Sequence, residues 1–371
     1  MSGFADEDRR LLASSIERFA LERYDFEHRR RLLATAEGFG REEWRICAEL
    51  GWLGIMLPEA YGGSGAGLGE AAVVMEGIGR ALMLEPFLAT VVLGAGLVER
   101  TGDEQQREAV LSAVAAGTLI LAFAHDEPES GMSRSWVRTA AVAADGGFVL
   151  TGRKSLVLHG AAADRIIVSA RLGGPEGKLG LFLVDRSAPG LAVFDARMID
   201  GRTVARLDLE RVQVPVSAHL GADEAEPAVA CILDRATAAV CAEALGAMAA
   251  INEATLAYVR TRHQFGRSIG GFQVLQHRLV DMNVALMSSR SIVAGAIAAL
   301  DAGSPEAARL VSAAKVKVGR SGRFVGEQGV QLHGGMGMTD ELPVGSHYKR
   351  LMMIDSLFGD AEWHLDRMAD L

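Results

Sequence analysis

Apolar positions repeat with a helical period through the first third of the chain. In "EDRRLLASSIERFALERY", Leu12, Ile16, Phe19 and Ala20 are spaced i, i+4, i+7 and i+8, which places them on one face of a helix. The segments "REEWRICAEL" and "LGEAAVVMEGIGRAL" follow the same rule, and the Pro and Gly residues of "LPEAYGGSGAG" separate them. The pattern predicts an N-terminal α-helical domain over residues 1–117.

The period shortens toward two between about residues 118 and 222. Short apolar runs such as "GGFVLTG", "DRIIVSARL", "GKLGLFLVDR" and "LAVFDA" are separated by turn clusters, among them Asp145-Gly146-Gly147 and Ala188-Pro189-Gly190. This alternation predicts a central domain over residues 118–225, built as an antiparallel β-barrel or sheet.

The helical period returns at about residue 226 and continues to the end. Long alanine-rich segments such as "ATAAVCAEALGAMAAINEATLAYVRTR" allow close helix packing, so we expect a C-terminal four-helix bundle over residues 226–371. The predicted class is therefore α+β, in the order helices, strands, helices. A chain of 371 residues also exceeds the roughly 250–300 at which one hydrophobic core stops growing, which favours several sub-domains.

Composition excludes several classes of function. The net charge of −9 disfavours binding to nucleic acid, because such proteins usually present a basic face. Three scattered cysteines, Cys47, Cys231 and Cys241, indicate neither a disulfide framework nor a zinc site. The start "MSGFADEDRR" lacks the order of a secretory signal, and no run reaches about 18 consecutive apolar residues. We therefore expect a cytoplasmic protein without a membrane span.

Several catalytic motifs are absent or fail on spacing. The stretch "GGSGAGLGE" at residues 62–70 does not fit G-x-G-x-x-G, because Leu68 or Glu70 stands where the third glycine is required. There is no H-E-x-x-H pair and no G-x-S-x-G elbow. Metal-dependent and serine-hydrolase chemistry are therefore not predicted, and no residue is assigned to a metal.

Two stretches of the predicted bundle contain residues that suit a bound ligand. "YVRTRHQFGRSIGGFQVLQHRLVDM" (258–282) begins with a basic cluster of Arg260, Arg262, His263 and Arg267 beside glycines, which suits a diphosphate. By itself a solvated basic helix face explains this cluster equally well. "GVQLHGGMGM" (329–338) adds clustered glycines, which either break the helix or allow a molecule to approach the backbone.

Together with "GWLGIMLPEAYGGSGAGL" in the first domain, these stretches resemble the acyl-CoA dehydrogenase family over essentially the whole chain. The resemblance implies FAD as cofactor and an acyl-CoA thioester as substrate. In this family a carboxylate removes the α-proton while hydride passes from the β-carbon to the flavin. It also implies that each flavin lies between two subunits of a tetramer. The contacts to the adenosine diphosphate end of a neighbouring subunit's FAD correspond here to Arg262, Phe265, Gln273, Gln331, Gly334 and Gly335.

The elements that would serve the chain's own flavin depart from the family pattern. The usual catalytic glutamate corresponds to Phe358 in "SLFGDAEWH", and the alternative location on the first bundle helix falls near Ala236. The candidates for a displaced base are Asp234, Asp360 and Glu362. The family's Trp-x-Thr, which contacts the flavin ring, corresponds to Leu156 and Leu158, and its Thr-Glu-Pro-Gly turn becomes "DEPES" at residues 126–130.

Four hypotheses follow from this contrast. The chain is the base-lacking subunit of a hetero-oligomeric, α2β2 acyl-CoA dehydrogenase, similar to members that act on bulky acyl chains such as steroid side chains. Alternatively, it is a self-sufficient homotetramer with a displaced base, a flavin monooxygenase on the same fold, or a structural paralogue without flavin. The resemblance implies an electron-transfer flavoprotein as acceptor if the chain takes part in catalysis.

Overall fold

The computed structural model describes residues 6–221 and 225–371. The chain divides into two compact units. One comprises Met1–Arg31, Gly67–Met83 and Thr237–Leu371, and the other comprises Leu32–Ala66 and Leu84–Ala236.

The order of elements is helices, then strands, then helices. The first helices are α1 Asp6–Arg23, α2 Phe26–Leu33, α3 Arg41–Glu49, α4 Leu68–Ala81, a π-helical segment Leu88–Ala95, α5 Gly96–Thr101 and α6 Glu104–Ala115. The strands are β1 Leu121–Ala124, β2 Ala140–Ala144, β3 Gly147–Leu158, β4 Arg165–Leu172, β5 Leu179–Asp185, β6 Leu191–Arg197, β7 Thr203–Pro215 and β8 His219–Leu220. After them come α7 Ala225–Thr261, the short strands β9 His263–Gln264 and β10 Arg267–Ser268, α8 Gln273–Asp301, α9 Ala307–His333, α10 Pro343–Ser356 and α11 Ala361–Asp370. The predicted α+β class is confirmed.

The second unit contains an eight-stranded sheet in the order β6-β7-β3-β2-β4-β5-β8, with β1 paired to β4. Most pairings are antiparallel, as predicted, but β1 and β2 run parallel to β4. The apolar run Ile166–Val168 of β4 is fully buried, while the edge strand β6 is largely exposed. A continuous apolar run therefore marks a strand covered on both faces, and alternation marks a half-exposed one.

Glycines on α9 allow its neighbours in the bundle to approach closely. A Cβ on Gly319 would lie 2.2 Å from the Asp355 carboxylate, and a Cβ on Gly326 would lie 2.2 Å from the Tyr348 ring. On the α7 side, a Cβ on Gly329 would lie 2.4 Å from Ile251. Each glycine costs about 1 kcal/mol of helix propensity, which the closer helix packing offsets.

A buried ion pair joins α7 and α10 in the core of the same unit. The Arg350 guanidinium donates two hydrogen bonds to the Glu243 carboxylate, both 2.7 Å long, and the two side chains are 2% and 0% exposed. Burying such a pair costs desolvation free energy, but replacing only one of the two residues is strongly destabilising, because it leaves the other as a buried charge without its counter-ion.

The glycine-rich turn before α4 is held within the chain. The first two backbone N–H groups of α4, those of Leu68 and Gly69, donate to the Asp301 carboxylate at 2.9 and 3.0 Å. The N-terminus of this helix, where a dinucleotide phosphate would bind, is therefore already occupied by a side-chain anion.

Among the described residues, one helix is long and apolar enough to cross a membrane by length and composition. This is α8, whose most apolar window has a mean hydropathy of 1.4 and is 39% buried. Because α8 packs along α9 within its unit, and a core helix meets the same criterion, this is weak evidence for a span.

Candidate functional site

The glycines that follow α9 leave their backbone open. Gly334 ends the helix with a φ of +60°, and Gly335 follows in a 3₁₀ turn over Gly334–Met338. A Cβ on either glycine would meet no described atom within 4 Å, whereas a Cβ on Gly337 would lie 2.6 Å from the Val330 carbonyl oxygen. Packing within the described chain thus requires a glycine at 337 but not at 335, so the open backbone at 335 fits close approach by another molecule.

A tight hairpin connects α7 to α8. Phe265 and Gly266 form its turn with φ values of +53° and +78°, as a two-residue type I′ turn requires. The Phe265 side chain is 90% exposed, and its ring meets that of Phe272 edge-on at 6.2 Å. A large apolar side chain held in solvent on a strained backbone indicates contact with another molecule.

The structure brings both stretches to the same end of the bundle. The Tyr258 ring near the end of α7 stacks on His333 at the end of α9, with ring centroids 4.5 Å apart. Near the start of α8, the Arg278 guanidinium donates to the Gln328 amide oxygen on α9 at 3.3 Å. The predicted cofactor contacts therefore lie at one end of one unit: Arg262, Phe265, Gln273, Gln331, Gly334 and Gly335.

This end of the bundle carries arginines that have no acidic partner among the described residues. No acidic residue occurs between Glu253 and Asp281 in the sequence. Across residues 6–221 and 225–371, the exposed arginines Arg260, Arg262 and Arg267 form no ion pair. Guanidinium groups without an acidic partner, at the same end of the bundle as open glycine backbone, fit a diphosphate such as that of FAD.

The turn that carries Phe358 is held firmly by buried side chains. The Lys315 Nζ donates to the carbonyl oxygens of Asp355, at 2.9 Å, and of Gly359. The His364 Nε2 lies 3.2 Å from the Phe358 carbonyl oxygen, and its Nδ1 lies 3.0 Å from the Ser312 hydroxyl. Phe358 itself has a φ of +60°, an unusual conformation for a residue other than glycine. The position of the expected base therefore carries a phenylalanine on a hydrogen-bonded turn, and its side chain cannot accept a proton.

The two candidate carboxylates near this turn have other surroundings. The Asp360 carboxylate accepts the Trp363 backbone N–H at 2.9 Å and caps α11, while Glu362 is exposed in the first turn of that helix. Lys315, which holds the turn, is about 24 Å along α9 from Gln331, at 1.5 Å per residue. The predicted base position and the predicted cofactor contacts are thus two separate places in this unit.

The third candidate base, Asp234 on α7, belongs to the other unit and is engaged there. Its carboxylate accepts a hydrogen bond from the Arg134 guanidinium at 2.7 Å, and both side chains are largely buried. Ala236, at the alternative base position, is fully buried. The Asp234 carboxylate is therefore already engaged by a guanidinium of its own unit.

The strand that corresponds to the family's ring-contacting motif has an irregular backbone. The pairing of β3 with β7 shifts register between Lys154 and Val157, and Leu156 in this bulge has a φ of +51° and is 58% exposed. Leu158 is buried at the end of the strand. Neither leucine has a side-chain group that can form a hydrogen bond, as expected if they stand in place of the family's Trp-x-Thr.

A buried polar network supports the "DEPES" turn. The Lys154 Nζ donates to the Glu127 carboxylate at 2.9 Å, to the His125 carbonyl at 3.0 Å and to the Ser169 hydroxyl at 3.1 Å. Glu127 also accepts the backbone N–H groups of Arg138 and Thr139. Burial lowers the pKa of Lys154 to about 8, although Glu127 opposes the shift. The network was not foreseen from sequence, where Glu127 and Lys154 are separate charged residues.

Burial also raises the pKa of Asp126, the first residue of this turn, with Lys154 and Arg134 opposing the shift. By the family resemblance, Asp126 stands at the position of the threonine in the Thr-Glu-Pro-Gly turn. No group of three or more His, Cys, Asp or Glu among the described residues could hold a metal ion.

The order of helices, strands and helices is that of the acyl-CoA dehydrogenases, FAD-dependent oxidoreductases that act on the CH–CH bond of acyl-CoA thioesters. The chain belongs to the acyl-CoA dehydrogenase family, whose members are FAD-dependent. Models of the family's N-terminal, middle and C-terminal domains match residues 6–118, 122–212 and 228–370.

Individual relatives are similar over most of their length. The short-chain specific acyl-CoA dehydrogenase of Clostridium acetobutylicum is 30% identical over 320 residues, which cover 83% of each protein. Among solved structures, the ChsE4-ChsE5 complex of Mycobacterium tuberculosis matches with a TM-score of 0.90 and 27% identity, covering 100% of this chain and 98% of the other. The Tcur3481-Tcur3483 steroid ACAD matches with a TM-score of 0.89 and 30% identity, covering 98% and 97%.

Proposed function

We propose that this chain is a subunit of a hetero-oligomeric, FAD-dependent acyl-CoA dehydrogenase. It contributes Arg262, Phe265, Gln273, Gln331, Gly334 and Gly335 to the adenosine diphosphate end of a partner subunit's FAD. The partner, a second acyl-CoA dehydrogenase chain, supplies the catalytic base and the contacts to the flavin ring.

The observation that carries this proposal is the contrast between the two places on α9. Near its C-terminal end, Arg260, Arg262 and Arg267 lack acidic partners among the described residues. Packing within the described chain does not require a glycine at Gly335, whose backbone is open. Toward its N-terminal end, Lys315 and His364 fix a turn that presents Phe358. The chain is thus equipped to hold a dinucleotide phosphate but not to remove a proton.

The candidates for a displaced base do not support a self-sufficient enzyme. Asp234 is paired with Arg134, and Asp360 caps a helix. Glu362 is exposed to solvent in the first turn of α11. We therefore assign the base to the partner.

The surface of α8 supports an oligomer. Val280, Val284 and Met287 are more than half exposed and are spaced i, i+4 and i+7, so they form one apolar stripe. Farther along the helix, Gly295 has open space around it, since a Cβ there would meet no described atom within 4 Å. An apolar stripe continued by a small residue suits contact with a helix of another subunit.

By similarity to the ChsE4-ChsE5 complex and the Tcur3481-Tcur3483 steroid ACAD, we propose an α2β2 tetramer that acts on a bulky acyl-CoA, such as one with a steroid side chain. The proposed electron acceptor is an electron-transfer flavoprotein, and the proposed compartment is the cytoplasm.

The test is to purify the chain alone and together with a paralogous subunit from the same genome that retains the glutamate. We expect the chain alone to hold little FAD and to show no acyl-CoA oxidation with an artificial electron acceptor, and the co-purified assembly to be yellow and active. Full flavination and turnover by the chain alone would refute the proposal. Oxygen consumption by the reduced flavin would instead indicate a monooxygenase, and absence of flavin in both preparations would indicate a structural paralogue.

A further inference from the structure

The β9–β10 hairpin places two arginines on one face. Gln264 is paired with Arg267, and the Ile269 N–H donates to the Arg262 carbonyl at 2.9 Å, which extends the ladder by one step. Because side chains alternate along a strand, Arg262, Gln264 and Arg267 share one face, and His263 and Ser268 share the other. Arg262 and Arg267 are diagonal neighbours, a relation in which Cα atoms are about 7–8 Å apart.

An aromatic ring holds the Arg267 guanidinium in place. Its central carbon lies 4.1 Å from the centroid of the Phe272 ring, which in turn meets Phe265 edge-on. A guanidinium that stacks on an aromatic face keeps its N–H groups free in its own plane. Within the described parts of the chain, neither Arg262 nor Arg267 donates a side-chain hydrogen bond or forms an ion pair.

Two like charges on neighbouring positions of one hairpin face repel each other unless an anion lies between them. A diphosphate offers two adjacent anionic groups, one for each guanidinium, and charge-assisted bonds of this kind are short and strong. Of these two arginines, only Arg262 belongs to the predicted cofactor contacts named above. The geometry points to Arg267 as a further cofactor-binding residue, which clamps the FAD diphosphate together with Arg262. This inference rests on the proposed function, since the FAD concerned is the partner's.

The experiment uses the co-purified assembly after removal of FAD, with ADP and adenosine as separate probes in calorimetric titrations. Arg267→Gln should weaken ADP binding about tenfold or more, which corresponds to about 1.4 kcal/mol, and leave adenosine binding unchanged. Arg267→Lys should recover part of the loss, because the charge remains but the planar fork does not. Phe272→Leu should cause a smaller loss than Arg267→Gln, because the guanidinium remains but is less ordered. FAD retained after gel filtration should follow the ADP affinities.

The matched control is Arg320→Gln, which removes another exposed arginine of α9, about 21 Å along the helix axis from Gly334. This variant should bind ADP like the wild type. If Arg267→Gln also bound ADP like the wild type while Arg262→Gln did not, the role of Arg267 would be refuted and the proposed function would stand. Equal losses for ADP and adenosine with a lowered melting temperature would show a structural role and also overturn the inference. If neither Arg262→Gln nor Arg267→Gln affected ADP and FAD binding, the proposed cofactor contacts themselves would be wrong.

Discussion

Replacing Gly335 with alanine separates the stability of the chain from the proposed contact of Gly335 with FAD. The backbone at Gly335 is outside the left-handed region, and an added Cβ would meet no described atom within 4 Å. Alanine also restricts the unfolded chain more than glycine does. We therefore expect the free energy of unfolding without cofactor to change by less than about 1 kcal/mol, in the stabilising direction.

The same methyl group should be costly where FAD approaches. If the backbone of Gly335 is in van der Waals contact with the cofactor, one added methyl must push it away or strain the turn. Overpacking of this kind costs about 1–3 kcal/mol, so the affinity for FAD should fall about 5- to 150-fold.

The assay compares thermal unfolding of the FAD-free assembly with FAD binding measured by the quenching of flavin fluorescence. Gly337→Ala is the contrasting variant, because its Cβ would lie 2.6 Å from the backbone oxygen of Val330. That substitution should lower the melting temperature even without FAD. The reasoning would be refuted if Gly335→Ala bound FAD like the wild type, or if it destabilised the FAD-free protein as much as Gly337→Ala does.

Further predictions concern stability and the missing base. Glu243→Leu removes the counter-ion of the buried Arg350, so the free energy of unfolding in urea should fall by about 3–5 kcal/mol. Adding Arg350→Leu should restore most of this stability. An equal loss in the single and the double variant would contradict the pairing. Burial, together with the charges of Arg29 and Arg80, lowers the pKa of His347 from 6.5 to about 3. Below pH 6.5 the unfolded chain therefore binds a proton that the folded chain excludes, so the free energy of unfolding should fall by about 3 kcal/mol by pH 4. His347→Leu should remove this part of the acid sensitivity. If the pH profile of the variant were unchanged, His347 would not be its source. Asp360→Asn keeps the helix cap, so turnover of the assembly should be unchanged, whereas a hundredfold loss of kcat would identify Asp360 as the base.

The candidate site could be predicted from sequence to the extent that it is built from short stretches. Arg262, Phe265 and Gln273 lie within one stretch of the chain, and Gln331, Gly334 and Gly335 within another, so each group is visible as a local pattern. That both groups meet at one end of the bundle depends on contacts such as the stack of Tyr258 on His333, which no local pattern contains.

The roles of the charged residues were harder to predict. Asp234 is paired with Arg134, 100 positions earlier, and Glu243 with Arg350, 107 positions later. In the sequence Asp234 is a candidate base, and in the structure it is half of an ion pair. The role of a carboxylate depends on the residue with which it pairs, and the fold determines which residue that is.

The family resemblance implied that Phe358 stands in place of a catalytic glutamate. By itself the sequence determined the order of helices and strands and the α+β class. These follow from hydrophobic periodicity, turn residues and residue identity, which act over a few positions of the chain. The tertiary structure decided which arginines remain without an acidic partner, which glycines are open and how Lys315 and His364 hold the Phe358 turn. Those properties arise when distant segments are brought together, because burial, hydrogen bonding and charge neutralisation are set by neighbours in space.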